Sequence, residues 1–458
     1  MKSYFYPLAL NLIVISTLLA TSSACQAEQL GADLEKDVAT GDTIQSNNQI
    51  TDRWIDLDED ESYTQRHECS FVQAGDRFVM FGGREQSQKL DIYDYKNNTW
   101  STGASAPKSF NHFQATEYKG LVWVIGSFKT NSFPKEEPEE NIWMYHPATD
   151  KWIKGPEIPE GRRRGGAGLV VYRDKFYLIG GNTIGHDGGY VSWFDEYDPF
   201  TNQWRQLADA SQARDHFHAA IVDNKLYAAG GRRSGGEGGV FAPVIPQVDV
   251  YDFQTNQWSV LSQDLLTPRA APGTAVFDGQ LFLMGGEGEE KGSAFKLVEA
   301  YDPSLGKWVS KADMNYPRHG TQAIVSGEGI FIACGSPNRG GGRQHNMEVY
   351  NKNTPMGKQA VASELQVQAH QELSVNTSSP LKIECIEGNT AIFVHSVAIE
   401  GDNPEKFGIT MPSENLLIDT DNPLILNVTH LGDKKGEKAT ITILYNGDMK
   451  RSVSLVSK

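Results

Sequence analysis

The sequence predicts an all-β chain: a ring of six four-stranded blades followed by a separate β-sandwich. Three observations carry this. Apolar runs ending in glycine recur about every 50 residues. Five of the six are followed by a Tyr and a Trp seven residues apart. Beyond residue 357 both features stop, and short stretches alternating apolar and polar residues take over.

The N-terminal segment predicts export. Lys2 precedes the apolar core "PLALNLIVISTLLA", which is short for a membrane span, and the small-residue run "TSSAC" follows. This segment resembles a bacterial lipoprotein signal, although Ser22 stands where leucine is usual. The resemblance implies a signal peptide over 1–24 and lipid on Cys25. The mature protein is then expected in the periplasm or on the outer membrane through its lipid, or secreted if cleavage is ordinary. Residues 25–52 are polar without periodicity and predict a disordered tether.

The repeats occupy residues 53–357. Their glycine-ended runs are "FVMFGG", "VWVIGS", "FYLIGG", "LYAAGG", "LFLMGG" and "IFIACG". In "HAAIVDNKLYAAGG" an apolar strand, an Asp-Asn turn and a second strand make a hairpin. The terminal glycines suit positive φ or the close approach of a neighbouring blade. The Tyr–Trp pairs are Tyr93/Trp100, Tyr145/Trp152, Tyr197/Trp204, Tyr251/Trp258 and Tyr301/Trp308. Tyr lies on the third strand and Trp on the outer one. Such sheets bury both faces only when stacked against similar sheets, hence a ring. The sixth copy has Tyr350 but Gly357 in place of its Trp, and "DRWIDL" with Trp54 precedes the first inner strand. The missing outer strand is therefore expected from the N-terminal side of the ring.

These motifs resemble the kelch repeat, and the resemblance implies a six-bladed kelch β-propeller with its ligand site at the mouth of the central channel. The segment 358–458 alternates in "AIFVHSVAIEG", "PLILNVTHLG" and "KATITILYNG". It predicts an immunoglobulin-like β-sandwich, similar to the ASPM/SPD-2/Hydin or choice-of-anchor type.

Charge bears on partners. With 58 Asp and Glu against 42 Lys and Arg, the chain carries a formal net charge of -16. That balance argues against nucleic-acid binding and favours solubility. Membrane contact is expected only through the N-terminal lipid.

The blade hairpin brings the loop entering each inner strand beside the loop leaving the second strand. One rim then gathers Arg66, His67, Arg84, His112, Lys129, Arg162, Arg163, Arg164, His186, Arg214, His216, His218, Arg232, Arg233, Arg269, Arg318, His319, Arg339 and Arg343. Guanidinium forks suit carboxylate, sulfate or phosphate. The expected ligand is an anionic or polar one, an acidic carbohydrate or a protein partner. The same arginines also suit ties between loops.

Three functions fit. A binding or scaffold module needs only the rim and the sandwich. A carbohydrate enzyme is the alternative: exported kelch propellers include a sialic-acid mutarotase relying on Arg and Glu, and Glu287 in "GGEGEE" would exchange protons if its pKa were raised. A uronate lyase would instead use His216, His218, His319 and Tyr316. A copper radical oxidase also pairs a kelch propeller with a sandwich, but needs two Tyr, two His and a Cys cross-link, and no such set stands out. No cofactor and no metal are expected. Cys69 and Cys334 fall on blades that ring closure makes neighbours, a candidate disulfide at the seam or two small buried residues.

Overall fold

The computed structural model describes residues 50–57 and 62–458. The expected signal peptide, Cys25 and nearly all of the tether lie outside the described residues.

Each repeat folds as the spacing requires. In the first sheet Cys69–Ala74, Arg77–Gly82, Leu90–Asp94 and Thr99–Gly103 pair antiparallel in chain order. Four further sheets repeat that order, with inner strands Ala115–Tyr118, Gly168–Tyr172, Ala219–Val222 and Gly273–Phe277. The sixth takes Ala323–Ser326, Gly329–Ile332 and Glu348–Asn351 from one repeat and Trp54–Asp56 as its outer strand. Each inner strand touches the next, and the sixth touches the first, so the sheets close into a ring.

The seven-residue Tyr–Trp spacing has a simple cause. A tight turn between third and outer strands places the two rings directly opposite, in register, in all five continuous sheets. Their centroids lie 4.8–5.4 Å apart, and such cross-strand aromatic pairs stabilise a sheet. In the sixth sheet Trp54 pairs opposite Tyr350, with centroids 5.5 Å apart. The Trp54 indole N–H donates to the Ala312 carbonyl (2.9 Å), just past the outer strand of the fifth sheet. Thr51 and Asp52, expected in the tether, belong to this seam instead. Thr51 N–H donates to Asn351 Oδ1 (2.8 Å), and Asp52 accepts from Tyr350 Oη (2.9 Å).

The seam holds no disulfide. Cys69 and Cys334 share one apolar cluster but are free thiols, as is Cys385. Burial pushes the Cys334 thiol up to about 12, so it behaves as a small apolar side chain.

The C-terminal part forms two sheets. Glu364–Val367, Ser378–Ile386, Leu424–His430 and Phe407–Thr410 make one. His370–Leu373, Met449–Ser457, Lys438–Tyr445, Ile392–Glu400 and Leu416–Ile418 make the other. Leu381, Ile383 and Leu426 from the first meet Val394, Ile441 and Val453 from the second in one core. A second cluster joins this part to the ring, where Ala391, Phe393 and Leu417 pack with Trp123, Leu178 and Tyr197. The turn at Lys119, between the first two strands of the second sheet, is also held. Its carbonyl accepts from Ala391 N–H (2.7 Å), and its ammonium pairs with Asp419 (2.7 Å). That turn lies at the end of the sheet opposite the rim loops.

This junction buries His146, only 1 % exposed, with Nε2 3.4 Å from Thr390 Oγ1 and Nδ1 without a partner. Burial depresses its pKa from 6.5 to about 4. The unfolded chain then takes the proton first, so the contribution of a neutral His146 is complete above about pH 6.5 and fades as pH falls toward 4. A shift of that size corresponds to at most about 3 kcal/mol. His146→Gln is therefore expected to lose less stability than wild type between pH 7 and pH 4 in urea unfolding. Identical pH profiles would remove His146 from the account.

Candidate functional site

Six loops meet at the axis, and comparing the copies within this chain separates brace from site. Each loop entering an inner strand carries three residues in equivalent places. The first is Arg66, Phe110, Arg164, Arg214, Arg269 or Arg318. The five arginines are at most 0 % exposed. Each guanidinium turns into its own blade, onto backbone carbonyls and an acid two residues before the repeat Tyr: Asp91, Asp195, Asp249, Glu299 or Glu348. In the second blade Phe110 and Trp143 replace the pair. These five arginines, expected on the ligand face, are internal ties. Each guanidinium already faces a carboxylate of its own blade rather than the channel.

The third residue of each loop is Glu68, His112, Gly166, His216, Ala271 or Gly320, all with φ between +49° and +67°. This left-handed kink turns successive backbone amides around the axis. His112 N–H donates to Glu68 O (3.1 Å), Gly166 to His112 (2.6 Å), His216 to Gly166 (2.9 Å), Ala271 to His216 (2.6 Å) and Gly320 to Ala271 (3.0 Å). Cys69 N–H to Gly320 O (3.2 Å) closes the circle. Backbone thus narrows the channel, and His218 lies beneath it beside a cavity of about 20 Å³.

A further layer comes from the residue after each glycine pair. A Cβ on Gly231 would lie 2.7 Å from the Asp215 carbonyl, so glycine lets the two loops touch. Bridges then pair Asn111 with Phe128, Gly165 with Asn182, Asp215 with Arg232, Ala270 with Glu287 and His319 with Ser336. Above the backbone circle opens a cavity of about 390 Å³ lined by His67, Glu68, Arg84, His112, Asn131, Phe133, His186, Arg232, Phe241, Glu287 and Gly340.

The structure brings together Arg84, His112, His186, His216, Arg232, Glu287 and His319 among the expected residues. It adds Glu68, Glu136 and Asp215. Arg84 pairs with Glu136, which also accepts from the His186 backbone N–H (3.1 Å). Arg232 pairs with Glu287 and donates to Ser234 Oγ (3.0 Å). Asp215 binds His216 Nδ1 and accepts from Ser234 N–H (3.0 Å) and Oγ (2.6 Å). His319 Nε2 lies 3.4 Å from Glu287 and 3.6 Å from Glu68. Tyr316 lies away from this group, its hydroxyl on Asp56 (3.3 Å), and Arg343 is exposed to solvent.

Electrostatics overturn one expectation. Burial alone would raise the Glu287 carboxyl, but His319 and Arg232 outweigh it and hold it down to about 2. Glu287 is therefore ionised at neutral pH and unsuited to be the proton donor that a mutarotase would need. Burial drives His112 well below its usual range, with Arg84 and the other histidines adding to it, and takes His186 to about 4. Both rings are neutral near pH 7.

Residues 157–335 match the KLHDC2/KLHL20/DRC7 Kelch-repeats domain. The chain is 29% identical over 343 residues to the Kelch-like protein terF of Aspergillus terreus, covering 70% of each. These matches support a kelch β-propeller. The kelch region also matches Kelch-like protein 23 of Homo sapiens, 26% identical over 57% of this chain and 44% of that protein. This chain thus spans less than half the length of that relative. The solved structure of YjhT shares the fold, with a TM-score of 0.54 at 16% identity over 63% of this chain and 95% of that one.

Proposed function

We propose that this chain is an exported binding protein whose six-bladed kelch propeller takes a polar ligand, an acidic carbohydrate, in its axial pocket. The immunoglobulin-like sandwich sits against the other face and leaves that pocket open. The observation that carries this reading is the pair of arginine-capped phenylalanines at the mouth. Phe133 is 57 % exposed with Arg84 6.0 Å from its ring, and Phe241 carries Arg232 at 5.1 Å and Arg339 at 4.5 Å. An exposed ring offers a flat face for a sugar, and the guanidinium edges offer donors to its hydroxyls and carboxylate. The N-terminal sequence supports export, and a lipid on Cys25 would hold the pocket near a membrane.

Titration calorimetry with sialic acid and glucuronic acid tests this. Phe241→Ala leaves every buried ion pair in place and is expected to weaken binding at least tenfold, about 1.4 kcal/mol. Equal affinity in wild type, Phe133→Ala and Phe241→Ala would overturn the pocket as the sugar site. Failure of wild type to bind either sugar, with a protein partner retained through this face, would assign the pocket to that partner.

A further inference from the structure

Three histidines in this pocket converge in a way that hydrogen bonding alone leaves unresolved. His112, His186 and His216 are each buried, and one ring nitrogen of each lies within 4.8 Å of the other two. They come from three different loops: the kinks at His112 and His216 and the short turn Gly185–Asp187.

The network fixes their tautomers. Asn111 Nδ2 donates to Ser109 O (2.9 Å) and Thr130 O (2.8 Å), so its Oδ1 is an acceptor, and His112 Nδ1 beside it (2.7 Å) must donate. His186 Nδ1 faces the Glu136 carboxylate (3.1 Å), and His216 Nδ1 faces Asp215. Both carboxylates accept only. With each Nδ1 turned to its acceptor, Nε2 is the nitrogen that each ring presents to the other two. The His186 and His216 Nε2 atoms lie 3.3 Å apart, and His112 Nε2 has no hydrogen-bond partner. Glu68 Oε2, a fourth acceptor, stands 3.4 Å from His112 Nε2. Facing lone pairs at these distances repel unless a cation lies between them.

We propose that His112, His186 and His216 bind a divalent late transition-metal ion of the zinc class, with Glu68 beside it and the remaining position open to the pocket. Three histidine nitrogens about 2.0–2.1 Å from zinc in a tetrahedron lie about 3.3 Å apart, the spacing His186 and His216 already have. A His112 ring nitrogen within 4.8 Å of both completes the set. Asn111, Glu136 and Asp215 are the partners that such ligands require on their second nitrogen, orienting each ring and raising its basicity. Charge agrees as well. Of the four acids, Glu136 pairs with Arg84 and Glu287 with Arg232, while Glu68 and Asp215 face histidine rings, so a cation bound among those rings meets carboxylates beside it. A metal with an open coordination site would hold an oxygen of an incoming ligand, although the metal site stands whether or not the sugar reading does.

The test needs no ligand. Purified full chain is dialysed against zinc, metal content is measured, and cobalt(II) is added to a separate metal-free sample for its visible spectrum. One zinc per chain and an intense tetrahedral cobalt band are expected. His112→Ala, His186→Ala and His216→Ala should each lower affinity at least 100-fold, and Asp215→Asn by 10–100-fold. His370→Ala, on the exposed surface of the C-terminal part, should retain the metal. Substoichiometric zinc in wild type, or unchanged affinity in the three variants, would overturn the site. Should a variant misfold, an octahedral, water-like cobalt spectrum in wild type would overturn it on its own.

Discussion

Arg214→Ala is expected to destabilise the propeller by about 3–5 kcal/mol, because it strands a buried carboxylate. Arg214 donates to Gly230 O (2.7 Å), Gln247 O (2.9 Å) and Asp249 Oδ2 (2.9 Å), and both partners of the ion pair are fully buried. Burial acts on both. It lowers the guanidinium pKa, and it lifts the Asp249 carboxyl above its ordinary range despite Arg214. Desolvation therefore outweighs attraction in this pair, and the single variant is costly mainly through what it leaves behind. The second blade supplies the counter-example within the same chain, since Phe110 and Trp143 fill the equivalent space without charge. Arg214→Met combined with Asp249→Leu should accordingly recover at least half of the loss. Urea unfolding of both variants decides. A double variant as unstable as the single one would mean that the ion pair itself, with its carbonyl bonds, is required. Arg214→Ala is thus a folding variant, and a loss of ligand binding in it says nothing about the pocket.

That distinction was hidden in the sequence for a physical reason. The arginine recurs in five of six copies, and repetition at a fixed register is the mark of a residue serving the repeat. Residues serving a unique site must differ among copies, because one ligand sits at one place on a pseudo-symmetric axis. The informative positions were therefore the two after each arginine and the one after each glycine pair. There the copies diverge into Glu68, His112, His216, Asp215, Arg232 and Glu287. His112, His216, Arg232 and Glu287 were legible as rim residues. Glu68 and Glu136 were not, because acids in loops look like ordinary solvated residues, and Glu136 reaches the axis only through a long loop that leaves the second sheet. His186 was visible on the rim, but nothing in its spacing from His112 or His216 announced that three loops from different blades would converge. That is a property of ring closure, and it also explains why no metal was expected.

The fold itself was open to reading because its determinants are local. A hairpin turn, a positive φ after a strand and a Tyr opposite a Trp are each set within ten residues or so, and the repeat shows them several times over. The C-terminal part lacks such redundancy. Its alternation predicts strands, but not that His370–Leu373 would run parallel to Met449–Ser457, a long-range pairing that no local signal encodes. The missing disulfide is similar. Ring closure does bring Cys69 and Cys334 into one cluster, but proximity without the required geometry leaves two thiols.

Trp54→Ala is expected to destabilise the protein by about 3–5 kcal/mol and to open the ring at one place. In five sheets a turn joins the outer strand to the third, so loss of a Trp there leaves the strand tethered. In the sixth, only side chains and ladder bonds hold Trp54–Asp56 against Glu348–Asn351. Trp54 supplies the stack on Tyr350 and the indole bond to the fifth sheet. Trp258, with the same pairing to Tyr251 and an indole bond to Ala208 O (2.7 Å), is the matched control. Hydrogen exchange should rise sharply over Glu348–Asn351 in Trp54→Ala, whereas in Trp258→Ala the seam should stay protected. Unchanged exchange there would mean that Thr51, Asp52 and the ladder suffice to hold the seam. The effect should also reach the pocket. The axial circle crosses this seam through Cys69 N–H to Gly320 O, the longest of its six bonds, and Glu68 and His319 flank that crossing. A ring that opens at Trp54 should separate these two, so metal or ligand affinity ought to fall in Trp54→Ala although the residue lies on the outer edge of the propeller.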